Sequence, residues 1–189
     1  MTIYKYKILY LIIITIVPGY LFHCFGINVQ ISLTIKLNIM KTLLQQTAAI
    51  LEKEALKFRV IESSNMIELK MGLDSAVFTV LIACNEERQY CSIRCILPNM
   101  APASKKLSVA ELFNRFNHQF IFGSFAMDME DGEMYFQQSF ITTASRMEDE
   151  MLVRTLKIAL NTVNDQYGKI MSVLFSNVQP VLAALEMAN

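Results

Sequence analysis

From Val109 to Phe120 the apolar residues Val109, Leu112, Phe113, Phe116 and Phe120 recur every three or four positions, with Glu111, Asn114, Arg115 and Asn117 off that face. That spacing predicts an amphipathic helix with one face to bury. Ser108 and Glu111 stand three apart before the apolar run, the arrangement of a capping box, and predict that the helix starts at Ser108. After Gly123 the period falls to two: Phe125, Met127 and Met129 alternate with Ser124, Ala126, Asp128 and Glu130. Asp131-Gly132 follows, a dipeptide that tolerates the positive backbone angles of a two-residue hairpin turn. Such a loop would set Met129 opposite Met134 and Met127 opposite Phe136. The stretch from Ser108 to Ile141 is therefore predicted as helix, break and hairpin, a unit that the remaining elements cover or extend.

Before this unit, Leu44, Ala48, Leu51, Ala55 and Phe58 recur at helical spacing and predict a first helix from Lys41 to Phe58. Arg59 to Glu62 and Met66 to Met71 read as strand material around Ser63-Ser64-Asn65, as two strands or one broken by a turn. Ala76 to Cys84 is almost continuously apolar and predicts an interior strand covered on both faces. Beyond a polar turn at 85–88, Gln89, Cys91, Ile93, Cys95 and Leu97 share the inward side of the next strand. Pro98 and Pro102 argue that residues 98–106 leave the sheet. After a strand from Glu133 to Thr142, Ser145 and Glu148 repeat the capping spacing, with acid at 148–150 suited to a helix N-terminus.

Val153, Leu156, Leu160, Val163, Tyr167, Ile170 and Leu174 then predict the longest helix, roughly 35 to 40 Å of rod weakened at Gly168. A strand spans only about 17 to 20 Å, so part of this stripe, or its Met147 and Met151 end, is expected to overrun the sheet and meet a second copy or a protein partner. The alternative is that a terminal helix from Asn177 to Asn189, with Pro180 in its first turn, folds back over it. The predicted fold is α+β: an antiparallel sheet of about five strands with helices mainly on one face, in the order α-β-β-β-α-β-β-α.

Composition separates the two ends of the chain. All 17 Asp and Glu lie at Glu52 or later, whereas residues 1–40 hold ten Ile, three Lys and no Ala, so a net charge of zero divides into +3 and −3. Residues 1–39 form a hydrophobic leader, 40–177 a domain and 178–189 a helical tail. Ile8 to Ile27 is long enough to span a bilayer, but Pro18-Gly19 interrupts it and no small-residue cleavage site follows. Two readings stand: a membrane anchor, or residues upstream of a start at Met40, where the composition changes abruptly. We favour the second, which implies a cytoplasmic body; the first implies a membrane-anchored one. The weakly acidic body has no Lys/Arg run beyond Lys105-Lys106, which removes nucleic acid from the expected partners.

Chemistry-bearing residues are few. Cys91 and Cys95 share a strand face but lie roughly 13 Å apart, too far to ligate one zinc. Cys84 and Cys91 flank the turn at 86–88 and can face each other, so buried thiols in a reducing compartment or a disulfide in an oxidising one are both consistent with the spacing. His118 is the sole histidine of the body. Asp128, Glu130, Asp131 and Glu133 cluster at a convex, wet turn, whereas acid–base work by paired carboxylates needs a concave site. The six glycines are scattered singly, so no phosphate loop exists. No catalytic residue, metal site or cofactor is predicted, and the 12 methionines read first as core and second as an adaptable contact surface.

Phe113-Asn114-Arg115-Phe116-Asn117, then Gly123-Ser124-Phe125, then Met127-Asp128 leading to Glu130-Asp131-Gly132-Glu133, resemble the YbjN domain family over roughly Lys41 to Asn177. Members are described as bacterial sensory transduction regulators with a fold similar to that of type III secretion chaperones. The resemblance, with no convergent catalytic set beside it, implies a non-enzymatic protein-interaction module, regulator or chaperone-like; a protein partner or a homodimer is what the long helix suggests. It also marks Asn114, Asn117, Gly123, Asp131 and Gly132 as motif residues. For the two asparagines the expected role is hydrogen bonding to loop backbone at the helix C-terminus.

Overall fold

The computed structural model describes residues 41–143 and 146–185; the hydrophobic leader, the predicted capping residue Ser145 and the last residues of the tail lie outside them. Helix α1 spans Leu43–Lys53. Thr42 accepts from the Gln45 N–H at 3.1 Å and the Gln45 side chain accepts from the Thr42 N–H, so two otherwise orphaned donors are satisfied reciprocally. The Glu86 carboxylate accepts from the Leu43 N–H and ties the start of the helix to a distant turn. The helix does not reach Phe58. Ala55 turns left-handed (φ 56), its N–H reaches the Glu52 carbonyl and that of Leu56 the Leu51 carbonyl, which is a Schellman stop.

The chain then forms β1 (Phe58–Ile61), a 3₁₀ turn (Glu62–Ser64), β2 (Met66–Gly72), β3 (Val77–Asn85) and β4 (Tyr90–Met100). Helix α2 is Lys106–Gln119, β5 is Ser124–Met127, β6 is Glu133–Ile141, α3 is Asp149–Phe175 and α4 is Pro180–Leu185. Six strands, one more than expected, make an antiparallel sheet in the order β1-β2-β3-β4-β6-β5. The extra strand arises because Asn65, left-handed at φ 51, closes a hairpin where one interrupted strand was conceivable.

One row of residues crosses the whole sheet: Phe58, Leu69, Val80, Cys95, Phe136 and Phe125 stand side by side, all but Phe58 fully buried. The next row over, Arg59, Glu68, Leu81, Arg94, Gln137 and Ser124, is exposed or half-exposed. Period-two alternation thus sends one face to the helices and the other to solvent. On that open face Arg59 pairs with Glu68 at 2.7 Å, and the Arg94 guanidinium lies 4.2 Å from the Tyr135 ring centre while bonding Gln137. The expectation that 76–84 is covered on both faces is therefore corrected: its apolar run reflects β-propensity on a half-buried side.

Three further boundaries differ from the sequence pattern. Strand β4 continues through Pro98 to Met100, because the register slips between Ile96 and Met100 and the bulge accommodates a residue without an N–H. Helix α2 starts at Lys106, not Ser108, because a turn closed by the Lys105 N–H on the Pro102 carbonyl feeds straight into it, leaving the Ser108/Glu111 box unmade. Helix α3 starts at Asp149 with Glu148 as its cap residue.

The stripe on α3 is core: Leu156, Leu160, Val163, Ile170 and Leu174 are buried, and α4 turns back onto α2 and α3 with Ala183 and Ala184 inside. Val153 and Tyr167 are only half-buried. Apolar residues stay exposed at both ends of α3, Met151 at 45% in its first turn and Phe175 at 63% in its last, while Met147 is buried. Among the described residues no helix is long and apolar enough to cross a membrane.

Two backbone positions are suboptimal and correctable. A Cβ added at exposed Gly168 meets nothing within 4 Å, so Gly168→Ala should raise unfolding stability by about 0.5–1 kcal/mol. At Ala55 the left-handed backbone costs roughly 1 kcal/mol that glycine avoids, so Ala55→Gly should also stabilise. Urea midpoints of each variant measure both, and a lower midpoint for either contradicts the local geometry.

Candidate interaction site

The five motif residues all lie in the α2–β5–β6 unit, where they shape a hairpin and form no convergent pocket. Asn117, in the last turn of α2, donates from Nδ2 to the Phe125 carbonyl at 2.9 Å and accepts on Oδ1 from the Phe125 N–H at 2.8 Å. One amide thereby occupies both outward groups of the edge strand β5, which would otherwise be open to another strand. Asn114 lies one turn earlier, exposed, on the rim of a shallow depression with His118, Val181 and Leu185. Its expected bond to loop backbone is not made, since it sits about 4.5 Å further from the end of the helix than Asn117 and is exposed to solvent. Gly123 adopts φ 72, and a Cβ there would sit 2.3 Å from the Phe136 ring.

At the other end of the hairpin the loop is longer than Asp131-Gly132 predicts. Met127 pairs with Met134 and Phe125 with Phe136, a shift of two residues from the two-residue loop. The physical reason is side-chain capture of the turn. Asp128 Oδ1 accepts from the Glu130 N–H and Asp131 Oδ1 from the Glu133 N–H, each at 2.7 Å, while the Gly132 N–H reaches the Asp128 carbonyl. Gly132 (φ 87) has the Ala101 carbonyl oxygen only 2.2 Å from a would-be Cβ, and its own carbonyl accepts from the Ala101 N–H. Lys106 Nζ bonds the carbonyls of Met129 and Glu130, leaving Met129 exposed at the tip and not opposite Met134.

Cys84 and Cys91 face each other across β3 and β4, and all three body cysteines are free and buried. The bond from the Cys91 thiol favours ionisation of Cys84, with the Thr47 hydroxyl 3.5 Å away adding to it, while that same bond and burial drive Cys91 far above the usual thiol range. Burial pushes the Cys95 thiol up to about 12. Among the described residues no cluster of His, Cys, Asp and Glu could hold a metal ion.

What the sequence pattern did not reveal is a groove of about 420 Å³ between α3 and β6. Phe122, Met151 and Ile158 line it with Gln138, Glu150 and Arg154. Gln138 Oε1 is buried there without a hydrogen-bond partner, a costly state for an amide oxygen unless an occupant supplies a donor. The signal was available: Gln138 has the core-facing parity of Met134 and Phe136, where β6 otherwise places apolar residues.

With this geometry in place, the family model of YbjN, described as "Putative bacterial sensory transduction regulator", matches residues 44–170. The chain belongs to the YbjN family. A crystal structure of YbjN from E. coli, titled as a putative transcription regulator, is 13% identical, with a TM-score of 0.49, and the match covers 71% of this chain and 90% of that one. No curated protein sequence matches the chain.

Asn117→Ala should lower stability by about 2 kcal/mol, since two backbone groups of β5 lose their partner. Asn117→Asp should cost at least as much, because a carboxylate accepts from the Phe125 N–H but repels its carbonyl. Chemical denaturation of the two variants tests this, and an aspartate as stable as wild type contradicts it. For the cysteines, native-state thiol labelling near pH 8 should be slow at all three and complete on unfolding. The folded state holds the Cys95 proton more tightly than the unfolded one. Its stabilisation is thus full below the ordinary value of 9.0 and is lost as pH rises toward about 12. Cys95→Ala should flatten that part of the stability–pH curve.

Proposed function

We propose that this YbjN-family chain acts by protein contact, as a non-enzymatic, chaperone-like regulatory module whose contact surface is the groove between α3 and β6. The observation that carries the reading is the meeting of an unpartnered buried amide, Gln138, with exposed Phe122 and Met151 in one concavity. Apolar walls around a few unsatisfied polar groups are how binding sites are commonly built, and a methionine at the rim adapts to more than one surface. The polar residues that first suggest chemistry are otherwise engaged. Asp128 and Asp131 hold a turn, Asn117 closes an edge strand, and His118 stands exposed. The family description supports a regulatory role.

Replacing Met151 in the full chain with a photo-crosslinking phenylalanine should give discrete protein adducts in cells, and the same change at Lys70 on the open sheet face should not. Identical patterns from both positions, or none from position 151, overturn the proposed surface. Catalytic turnover by the purified chain, lost on changing Asp128, Glu130 or His118, overturns the non-enzymatic reading.

A further inference from the structure

We propose that the occupant of this surface is a second copy of the chain, the first three turns of α3 packing antiparallel against the same turns of the other copy. The inference rests on the protein-contact reading above and names its partner. Along these turns Met151, Arg154, Ile158 and Asn161 form a ridge, each three or four residues from the last, with Glu150 and Lys157 beside it. A groove runs on each side of the ridge: the one of about 420 Å³ toward β6, and one of about 480 Å³ toward Glu54 at the end of α1. A ridge flanked by grooves is self-complementary, because helices pack by laying the ridge of one into the groove of the other. A two-fold axis makes that contact isologous and closed.

The charges select the direction. Glu150, Arg154 and Lys157 are all exposed, and none makes an ion pair among the described residues, whereas neighbouring Asp149 is bound to Lys53 at 2.9 Å. Glu150 and Lys157 are seven residues apart, about 10.5 Å along one helix face. With the axis crossing midway between them, each Glu150 meets Lys157 of the second copy, and two opposite-charge pairs form. A parallel arrangement would instead set Glu150 against Glu150. With that axis Met151 comes within about 3 Å along the helix of Ile158 of the second copy, and the two Arg154 side chains straddle the axis, each reaching about 4.5 Å along it toward Glu150 of the other copy. Gln138, whose buried Oε1 has no partner, lines the groove that receives the ridge, and a turn of its side chain there offers that oxygen to a donor from the other copy. Association then covers the exposed apolar end of α3 and removes a buried unpaired acceptor together.

Sedimentation of the full chain, with circular dichroism of each variant to confirm the fold, tests the pairing. The wild-type chain should be dimeric at about 100 μM, and Glu150→Lys and Lys157→Glu should each weaken the dimer by about tenfold or more. The double variant, which restores opposite charges across the axis, should recover most of that loss. A chain that stays monomeric, a dimer indifferent to both single changes, or a double variant as weak as the singles each overturns the pairing. A monomer that still cross-links through position 151 to a different protein removes the self-pairing alone and keeps the contact surface. Absence of any adduct removes both.

Discussion

The double hydrogen bond between the Asn117 amide and the Phe125 backbone is the constraint on which the C-terminal half of the sheet depends. It holds β5, a four-residue edge strand, against the end of α2. There the Phe125 ring meets Phe113, Phe116, Phe120 and Phe136 at centroid distances between 5.0 and 6.0 Å. A strand this short has too few ladder bonds to fix its own position. The amide supplies the missing edge partners and the aromatic cluster supplies the buried area. Gly123 is part of the same arrangement, since the chain can approach the Phe136 ring between α2 and β5 only without a side chain there.

From that anchor the asymmetry of the molecule follows. At the β5 side the sheet is closed by Asn117 and the helices α2 and α4, and the second half of α3 is sealed between them. At 27 residues α3 is longer than the strands beneath it, and the surplus leaves Phe175 exposed in its last turn and Met151 exposed at its N-terminal end, where no further helix turns back. Shallow grooves, exposed Met151 and unpaired charges gather at this end because the covering element sits at the other. Of the buried side-chain oxygens without a partner among the described residues, those of Gln138, Thr142 and Gln166, the first belongs to a residue that lines the groove at this end.

The cysteines show how a chemically suggestive pattern resolves into packing. Alternation along β4 places Cys91 and Cys95 on the helix-facing side, and register sets Cys84 opposite Cys91 beneath α1. Mutual contact lowers the proton affinity of Cys84 and raises that of Cys91, and burial raises that of Cys95. They serve as small apolar residues on the helix-facing side of the sheet, with Val80 and Ile93.

Periodicity alone determined that helices lie near 44–52, 109–119 and 153–174, that strands lie between them, and which parity of 91–97 and of the two hairpin strands faces inward. These depend on contacts a few residues apart and on the single requirement that apolar side chains be buried. Gly132 was legible from its Asp-Gly dipeptide, whereas Gly123 and Asn117 were marked by the family resemblance. Only the tertiary structure decided the rest. The two-residue slip of the hairpin was set by Asp128 and Asp131 against the backbone, and the passage of Pro98 through the sheet by a bulge paired to β6. The role of Asn117 as an edge closure needed β5 to be last in the sheet, and the isolation of Gln138 needed α3 to pass without covering it. Each of these outcomes turns on a partner distant in sequence. A residue pattern states what a side chain needs and leaves open which neighbour, or which other molecule, will supply it.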